Sequence, residues 1–159
     1  MKRGVTIILL AAVIAGCGRA EKSETKFRGV QDKRDYAAEA VKYLEDKDIV
    51  KALQSFDMAI RQDPRKVENY LTLGQVYLHL KQPTRAVDTF SAAVKVAPQN
   101  PDAHYLLALA EVMDNNKEQA VEMAKKSAEL YMAAKDEEMF KKAVALVQGL
   151  EQATETTAQ

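Results

Sequence analysis

One spacing pattern recurs three times at intervals of 34 residues, and it constrains the fold more than any other feature of the chain. The middle copy is the clearest, with aromatic, small and proline residues at fixed distances from one another. Its positions are Tyr70, Leu73, Gly74, Tyr77, Ala86, Phe90, Ala93 and Pro98. Gly74 and Ala93 are small where two antiparallel helices must approach closely, and Tyr77 and Phe90 are large enough to fill the space between neighbouring helix pairs. Each copy therefore predicts one helical hairpin.

The flanking copies repeat the pattern with a few departures. The preceding copy consists of Tyr36, Ala40, Tyr43, Ala52, Phe56, Ala59 and Pro64. The following copy consists of His104, Leu107, Ala108, Ala120, Ala124 and Ser127. Glu39 replaces the leucine of the first copy, and in the third copy Glu111 replaces the tyrosine and Met132 the proline. Terminal repeats are often atypical, so we expect the third hairpin to be the less stable end of the array.

Turn-forming residues separate the predicted helices. Within the hairpins they are Asp46-Lys47-Asp48, Lys81-Gln82-Pro83 and Asn115-Asn116. Between hairpins the chain has Asp63-Pro64 and Asn100-Pro101, where Asn100 is suited to cap a helix and Pro101 to occupy its first position. The order along the chain is thus helix, turn, helix, three times over.

These positions resemble the tetratricopeptide repeat. The resemblance implies an all-α solenoid of three hairpins, with repeats at 33–66, 67–100 and 101–134. A capping helix is predicted over 135–150, because Asp136 can cap a segment with apolar residues at helical spacing. Those residues are Phe140, Ala143, Val144, Val147 and Leu150. The domain then spans 33–150, and the tail at 151–159, which lacks large apolar residues, is expected to be disordered.

The N-terminus resembles a bacterial lipoprotein signal. A positive start at Lys2 and Arg3 precedes a short apolar run that ends in Ile14-Ala15-Gly16-Cys17. The resemblance implies removal of residues 1–16 and attachment of diacylglycerol to Cys17, with a further acyl chain such as palmitate on the new amino terminus. The run is too short to span a bilayer. Residues 17–32 are predicted to be the lipidated cysteine and a flexible linker.

The predicted location of the protein is the cell envelope. Gly18 follows the cysteine, and by analogy with lipoproteins of two-membrane bacteria the absence of aspartate there favours the outer membrane, facing the periplasm. The sequence leaves open whether the envelope has one membrane or two.

Composition and motifs argue against nucleic-acid binding, metal binding and catalysis. The chain has 23 basic and 23 acidic residues, so it lacks the basic excess that nucleic-acid binding requires. His79 and His104 lack metal-ligand spacing, and His104 stands at an aromatic packing position. No nucleophile, base and orienting group can be assembled, and no phosphate-binding glycine loop is present. We therefore expect a protein that is not an enzyme and that needs no metal or cofactor.

The first helix of each tetratricopeptide hairpin lines a concave groove, and the resemblance transfers that role to twelve positions. They are Arg34, Ala37, Val41, Leu44, Glu68, Leu71, Gln75, Leu78, Asp102, Tyr105, Leu109 and Val112. The set is mostly apolar, so it is suited to an apolar peptide or an amphipathic helix. Tetratricopeptide domains that bind the C-terminal carboxylate of heat-shock chaperones use lysine, arginine and asparagine in this groove. Here Ala37, Val41 and Leu71 occupy positions where such polar residues would be needed, so that function is not expected.

Two readings of the groove remain open. In the first, the chain is a membrane-anchored scaffold or adaptor that binds a protein partner in the envelope. In the second, it is a self-associating structural lipoprotein or assembly factor whose groove is covered by its own capping helix, by Phe27 and Val30 of the linker, or by a second copy in a homodimer.

Overall fold

The computed structural model describes residues 34–157, and the side chains of that part as far as Ala153. This part of the chain contains helices and no strand. The helices are α1 (Tyr36–Glu45), α2 (Ile49–Gln62), α3 (Val67–His79), α4 (Pro83–Val96), α5 (Pro101–Met113), α6 (Lys117–Ala133) and α7 (Glu137–Thr157). The signal, Cys17 and the linker, predicted for residues 1–32, lie outside the described residues.

The helices pair in chain order. Helices α1 and α2, α3 and α4, and α5 and α6 form three hairpins, and α7 packs against α6. Side chains cap several of the helices: Asp35 accepts a hydrogen bond from the Ala38 N–H at 3.0 Å, and Asn100 accepts one from the Ala103 N–H at 3.0 Å. Such caps satisfy backbone donors that lack a partner within the helix. The predicted three hairpins and seventh helix are confirmed.

The turns inside the three hairpins share one backbone geometry. Lys47, Lys81 and Asn115 adopt positive φ angles of 60°, 55° and 66°. The residue after each donates its N–H to a carbonyl five residues back, as Asp48 does to Tyr43 at 2.8 Å. This pattern ends a helix by satisfying its last carbonyls. Each left-handed residue lies within a predicted turn, so the turn predictions are confirmed.

A hydrogen bond recurs where one hairpin follows the next. The Tyr70 hydroxyl donates to the carbonyl of Pro64 at 3.1 Å, and His104 Nε2 lies 2.9 Å from the carbonyl of Pro98. The donors occupy equivalent positions in successive repeats, and both acceptors are the proline that ends the preceding repeat. The side chain of His104 is buried, as its predicted packing role requires. Its Nδ1 atom is buried without a hydrogen-bond partner among the described residues.

The core is built from small residues facing aromatic rings. Phe56 and Phe90 are almost completely buried, and Phe90 shares a cluster with Leu107 of the next hairpin. Its ring also covers Gly74, where an added Cβ would lie only 2.6 Å from Cζ of Phe90. Phe90 therefore holds its own hairpin together and joins it to the next.

The third hairpin departs from the pattern without leaving a buried charge unpaired. Glu111, at the tyrosine position, is buried, and its Oε2 accepts a hydrogen bond from Asn116 Nδ2 at 2.7 Å. Asn116 also bonds Asp114, whose Oδ1 accepts a hydrogen bond from Thr84 Oγ1 of the second hairpin at 2.7 Å. The substitution at Glu111 thus belongs to a polar network at the hairpin turn. The lower stability expected for this hairpin stays a prediction.

Helix α7 begins as expected and ends later. Asp136 caps it by accepting a hydrogen bond from the Met139 N–H at 3.0 Å. The helix extends to Thr157, so the prediction that it ends at Leu150 and that disorder starts at residue 151 is wrong as far as Thr157. The residues after Leu150 contain no glycine or proline to stop the helix, and Lys125 of α6 forms an ion pair with Glu151 at 2.7 Å. After Leu150 the helix has no large apolar residue to bury, but its backbone remains helical as far as Thr157.

Candidate protein-interaction groove

Helices α1, α3 and α5 carry eleven of the twelve predicted groove residues, and Arg34 lies just before α1. Helices α3 and α5 lie side by side. None of these residues is buried. The exposed members are Arg34, Val41, Glu68, Gln75, Asp102 and Val112. The half-buried members are Ala37, Leu44, Leu71, Leu78, Tyr105 and Leu109. An accessible surface with apolar side chains therefore exists on these helices, and its use for binding stays a prediction.

Several half-buried members also join neighbouring hairpins. Leu44 packs against the cluster that contains Phe56 and Leu73, and Leu71 and Leu78 pack against the cluster around Phe90. One side of each side chain is therefore fixed by the core while the other side remains accessible. Anchors of this kind present apolar surface in a defined position.

Helix α7 packs close to Tyr105, the groove residue nearest to it in the fold. Tyr105 meets Tyr131 edge to face, with ring centroids 6.4 Å apart and planes at 69°. Tyr105 packs against the same cluster as Phe140 and Val144 of α7.

Asp102 is held in place from below the surface. The Tyr131 hydroxyl, on a side chain only 2% exposed, donates to Asp102 Oδ1 at 2.6 Å. Burial and the adjacent Asp102 carboxylate raise the pKa of Tyr131 well above its ordinary value of 10.0. The bond links α6 to α5 and fixes the carboxylate at the edge of the groove. The hydrogen bond joins residues 29 positions apart in the sequence, and no sequence motif predicts this pair.

A second accessible apolar surface lies between α6 and α7. A cavity of about 410 Å³ opens there, lined by Lys125, Ala128, Glu129, Met132, Phe140, Val144, Val147 and Gln148. Met132 is 61% exposed. In the second hairpin the second helix covers the first, as Phe90 of α4 covers Gly74 of α3. No such helix follows α7 in the described part of the chain.

Two further properties concern residues 34–157 only. No helix in this range combines the length and apolar character needed to cross a bilayer. The range also holds no group of three histidine, cysteine, aspartate or glutamate side chains arranged to bind a metal ion.

The array of three hairpins and a final helix is a tetratricopeptide-type α-solenoid. The family description "tetratricopeptide repeat" matches residues 43–110, which extend from the end of α1 into α5. No curated protein matches the chain.

Solved structures with the same fold include proteins described with bound peptides. The first tetratricopeptide domain of Spaghetti (RPAP3), bound to an HSP90 peptide, superposes with a TM-score of 0.64 at 18% identity, covering 75% of this chain and 90% of that one. PcrH, in complex with the chaperone-binding region of PopD, gives 0.67 at 15% identity, covering 75% and 90%. The Yersinia enterocolitica translocator chaperone SycD gives 0.67 at 14%, covering 76% and 83%. At these identities the likeness establishes the fold.

Proposed function

We propose that the chain is a membrane-anchored scaffold or adaptor of the bacterial cell envelope, and that it binds an apolar peptide or amphipathic helix of a protein partner in its groove. The observation that carries the proposal is the row of half-buried apolar side chains on adjacent helices, which the core fixes on one side only. The structures bound to an HSP90 peptide and to the PopD region support this use of the fold.

Photo-crosslinking tests groove occupancy. The structure favours Gln75 for the crosslinking residue, because it is exposed, whereas Leu71 one turn earlier packs against the core. We expect the native lipidated chain to yield an adduct with one discrete envelope protein, identified by mass spectrometry. The matched control carries the crosslinker at the exposed Asp88 on α4. The same adduct from both sites, or adducts to this chain alone at Gln75, would contradict the proposal.

The membrane anchor is a separate part of the proposal, and the lipobox-like sequence before Cys17 supports it. Two or more acyl chains bind a membrane stably, whereas one does so marginally. We expect Cys17→Ser to move the chain from the membrane fraction to the soluble fraction. Mass spectrometry of the mature N-terminus checks the same point, and an unmodified Cys17 in the membrane fraction would contradict the anchor.

Self-association is the second candidate, and one observation favours it. The surface between α6 and α7 exposes Met132 beside Phe140 and Val144, and such apolar surface is often covered by another chain. Light scattering coupled to size-exclusion chromatography measures the mass of the particle. A dimer that Met132→Glu converts to a monomer would support this candidate, and a monomeric native chain would exclude it.

A further inference from the structure

Helix α7 carries two apolar stripes on different sides. Ala143 and Leu150 belong to the first stripe, and both are buried in the clusters that α7 shares with α6. Phe140, Val144 and Val147 form the second stripe, which is half-buried and lines the cavity between α6 and α7. A helix that is apolar on more than one side is normally covered on each of them. In the described part of the chain, part of the second stripe stays accessible.

The accessible stripe continues onto α6. Ala128 and Met132 line the same cavity of about 410 Å³, and Met132 is 61% exposed. A further cavity of about 360 Å³ shares Met132 and Phe140 and extends the surface towards the turn between the two helices. The spacing of three or four residues within each stripe is the spacing of helix-on-helix seams. These residues, Ala128, Met132, Phe140, Val144 and Val147, form the α6–α7 surface.

The α6–α7 surface is large enough for a specific interface. Helices α6 and α7 have 17 and 21 residues, so they are about 25 and 31 Å long. Because packed helices lie about 8–10 Å apart, their common face is about 20 Å wide and presents about 500 Å². Two such faces together bury about 1,000 Å², which is the area that a specific interface requires.

The charges at the rim of this surface are self-complementary. Lys125 and Glu129 line the cavity one turn apart on α6. Antiparallel pairing of two copies about a two-fold axis near Ala128 places Lys125 of each copy opposite Glu129 of the other. The other exposed charges of these helices as far as Lys142 are also of both signs, so a second copy meets no block of like charge. They are Glu118, Glu122, Lys126, Glu137, Glu138, Lys141 and Lys142.

The α6–α7 surface is separate from the groove. The lining of its larger cavity includes none of the twelve predicted groove residues, which lie on or just before α1, α3 and α5. Tyr105 packs against the cluster beneath Phe140 but does not line the cavity. A second copy on the α6–α7 surface therefore leaves the groove open.

From these observations we propose that a second copy of this chain docks on the α6–α7 surface, and that the resulting two-fold dimer has two open grooves. Two helices from each copy form its centre. The dimer itself does not depend on what the groove binds, whereas the use of both grooves rests on the proposed function. In this arrangement self-association and groove binding occur together, and the adaptor is bivalent.

The mass of the particle tests the dimer. Light scattering coupled to size-exclusion chromatography of the full-length chain in detergent should give twice the protein mass of one chain. Met132→Glu should give the mass of one chain, because a charge would be buried at the apolar centre. Met113→Glu is the matched control, since Met113 is 50% exposed at the end of α5, and the dimer should persist. A native monomer, or a Met132→Glu dimer, would overturn the inference.

Charge reversal tests the two-fold arrangement. We expect Lys125→Glu to raise the dissociation constant of the dimer about tenfold, because like charges then face each other at two places. Adding Glu129→Lys should return the constant towards its native value, since each pair re-forms with the signs exchanged. Sedimentation equilibrium measures the constants, and circular dichroism confirms that the variants are folded. An equal loss in the single and double variants would contradict this pairing.

Labelling of Gln75→Cys tests whether the grooves are open, whatever they bind. A water-soluble maleimide should react at the same rate with this cysteine in the dimer and after Met132→Glu is added. Slower reaction in the dimer would show that the second copy covers the groove. A monomeric native chain would overturn the dimer and leave groove binding in place. A dimer with no envelope adduct at Gln75 would count against the proposed function alone.

Discussion

At the scale of single residues, Gly74 and Tyr131 carry the most specific interactions. Gly74 lets the Phe90 ring lie directly on the backbone of α3, and Tyr131 joins α6 to the groove through Asp102. Each contact connects the two helices of one hairpin. Each can be removed with a substitution that changes few atoms, so each gives a clear test.

We expect Gly74→Ala to lower the free energy of unfolding by about 2–3 kcal/mol, because the added methyl group collides with the Phe90 ring. Chemical denaturation measures the change. Gly149→Ala is the matched control: that position has open space around it, and the same change at a helical site stabilises by about 0.5–1 kcal/mol. Equal effects at the two sites would show that the Phe90 contact is unimportant.

Tyr131→Phe removes the hydrogen bond to Asp102 and preserves the ring. We expect a loss of about 1–2 kcal/mol near neutral pH. Because the pKa of Tyr131 is raised in the folded chain, its neutral form is favoured by folding. That stabilisation is present below the ordinary tyrosine pKa of 10.0 and is lost as the pH rises above it.

Denaturation of both proteins at neutral and alkaline pH measures the contribution of this one hydroxyl. The difference in stability between the native chain and Tyr131→Phe should shrink above about pH 10, since only the native chain has this group to ionise. A difference that is constant over the whole range would contradict the role assigned to the hydroxyl. The remaining tyrosines are common to both proteins and act as an internal control.

At the scale of helices and turns, the same left-handed geometry ends α1, α3 and α5. Lys47 and Lys81 adopt it although lysine has a Cβ, which makes positive φ unfavourable. The turns are thus stabilised by the hydrogen bonds and packing around them and carry residual strain. Asparagine, the residue in the third hairpin turn, tolerates the conformation better.

We expect Lys81→Gly to raise the free energy of unfolding by about 0.5–1 kcal/mol, because glycine adopts a positive φ without steric cost. The same substitution inside a helix should have the opposite sign. Lys95→Gly, at an exposed position in α4, should lower stability by about 1 kcal/mol. Thermal unfolding of the two variants against the native chain checks both signs.

At the scale of the whole array, α7 covers the end of the third hairpin. It buries Ala124, Ala128 and Tyr131 of α6 against Ala143 and Leu150. In a linear array each helix is stabilised mainly by its neighbours, so removing the last helix weakens the end first.

Deletion of residues 137–159 should therefore lower the melting temperature by at least about 5 °C, because a full apolar face of α6 becomes exposed. Deletion of residues 154–159 is the control, since these positions include no large apolar residue, and the melting temperature should change little. An unchanged melting temperature after the larger deletion would show that α7 does not stabilise the array.

The sequence predicted the hairpins because glycine, alanine and aromatic residues recur at positions where packing allows few alternatives. It did not predict the partner of Glu111, because a buried carboxylate is recognised as satisfied only when Asn116 is seen to face it. The end of α7 was missed because helix propensity continues after the apolar residues stop. The Tyr131 bond to Asp102 depends on the packing of α6 on α5, which spacing within one helix does not define.

The junction between α6 and α7 has a consequence for how arrays of this kind are lengthened. Helix α5 begins 18 residues after α4 begins, at 101 and 83, whereas α7 begins 20 residues after α6, at 137 and 117. Lys135 there has a φ of 60°, the geometry found inside hairpins rather than between them. The repeat phase therefore changes at this point, and a new module added after α7 would start out of step. An engineer who wishes to extend the chain should insert the additional repeat before Pro101, where the original phase still holds.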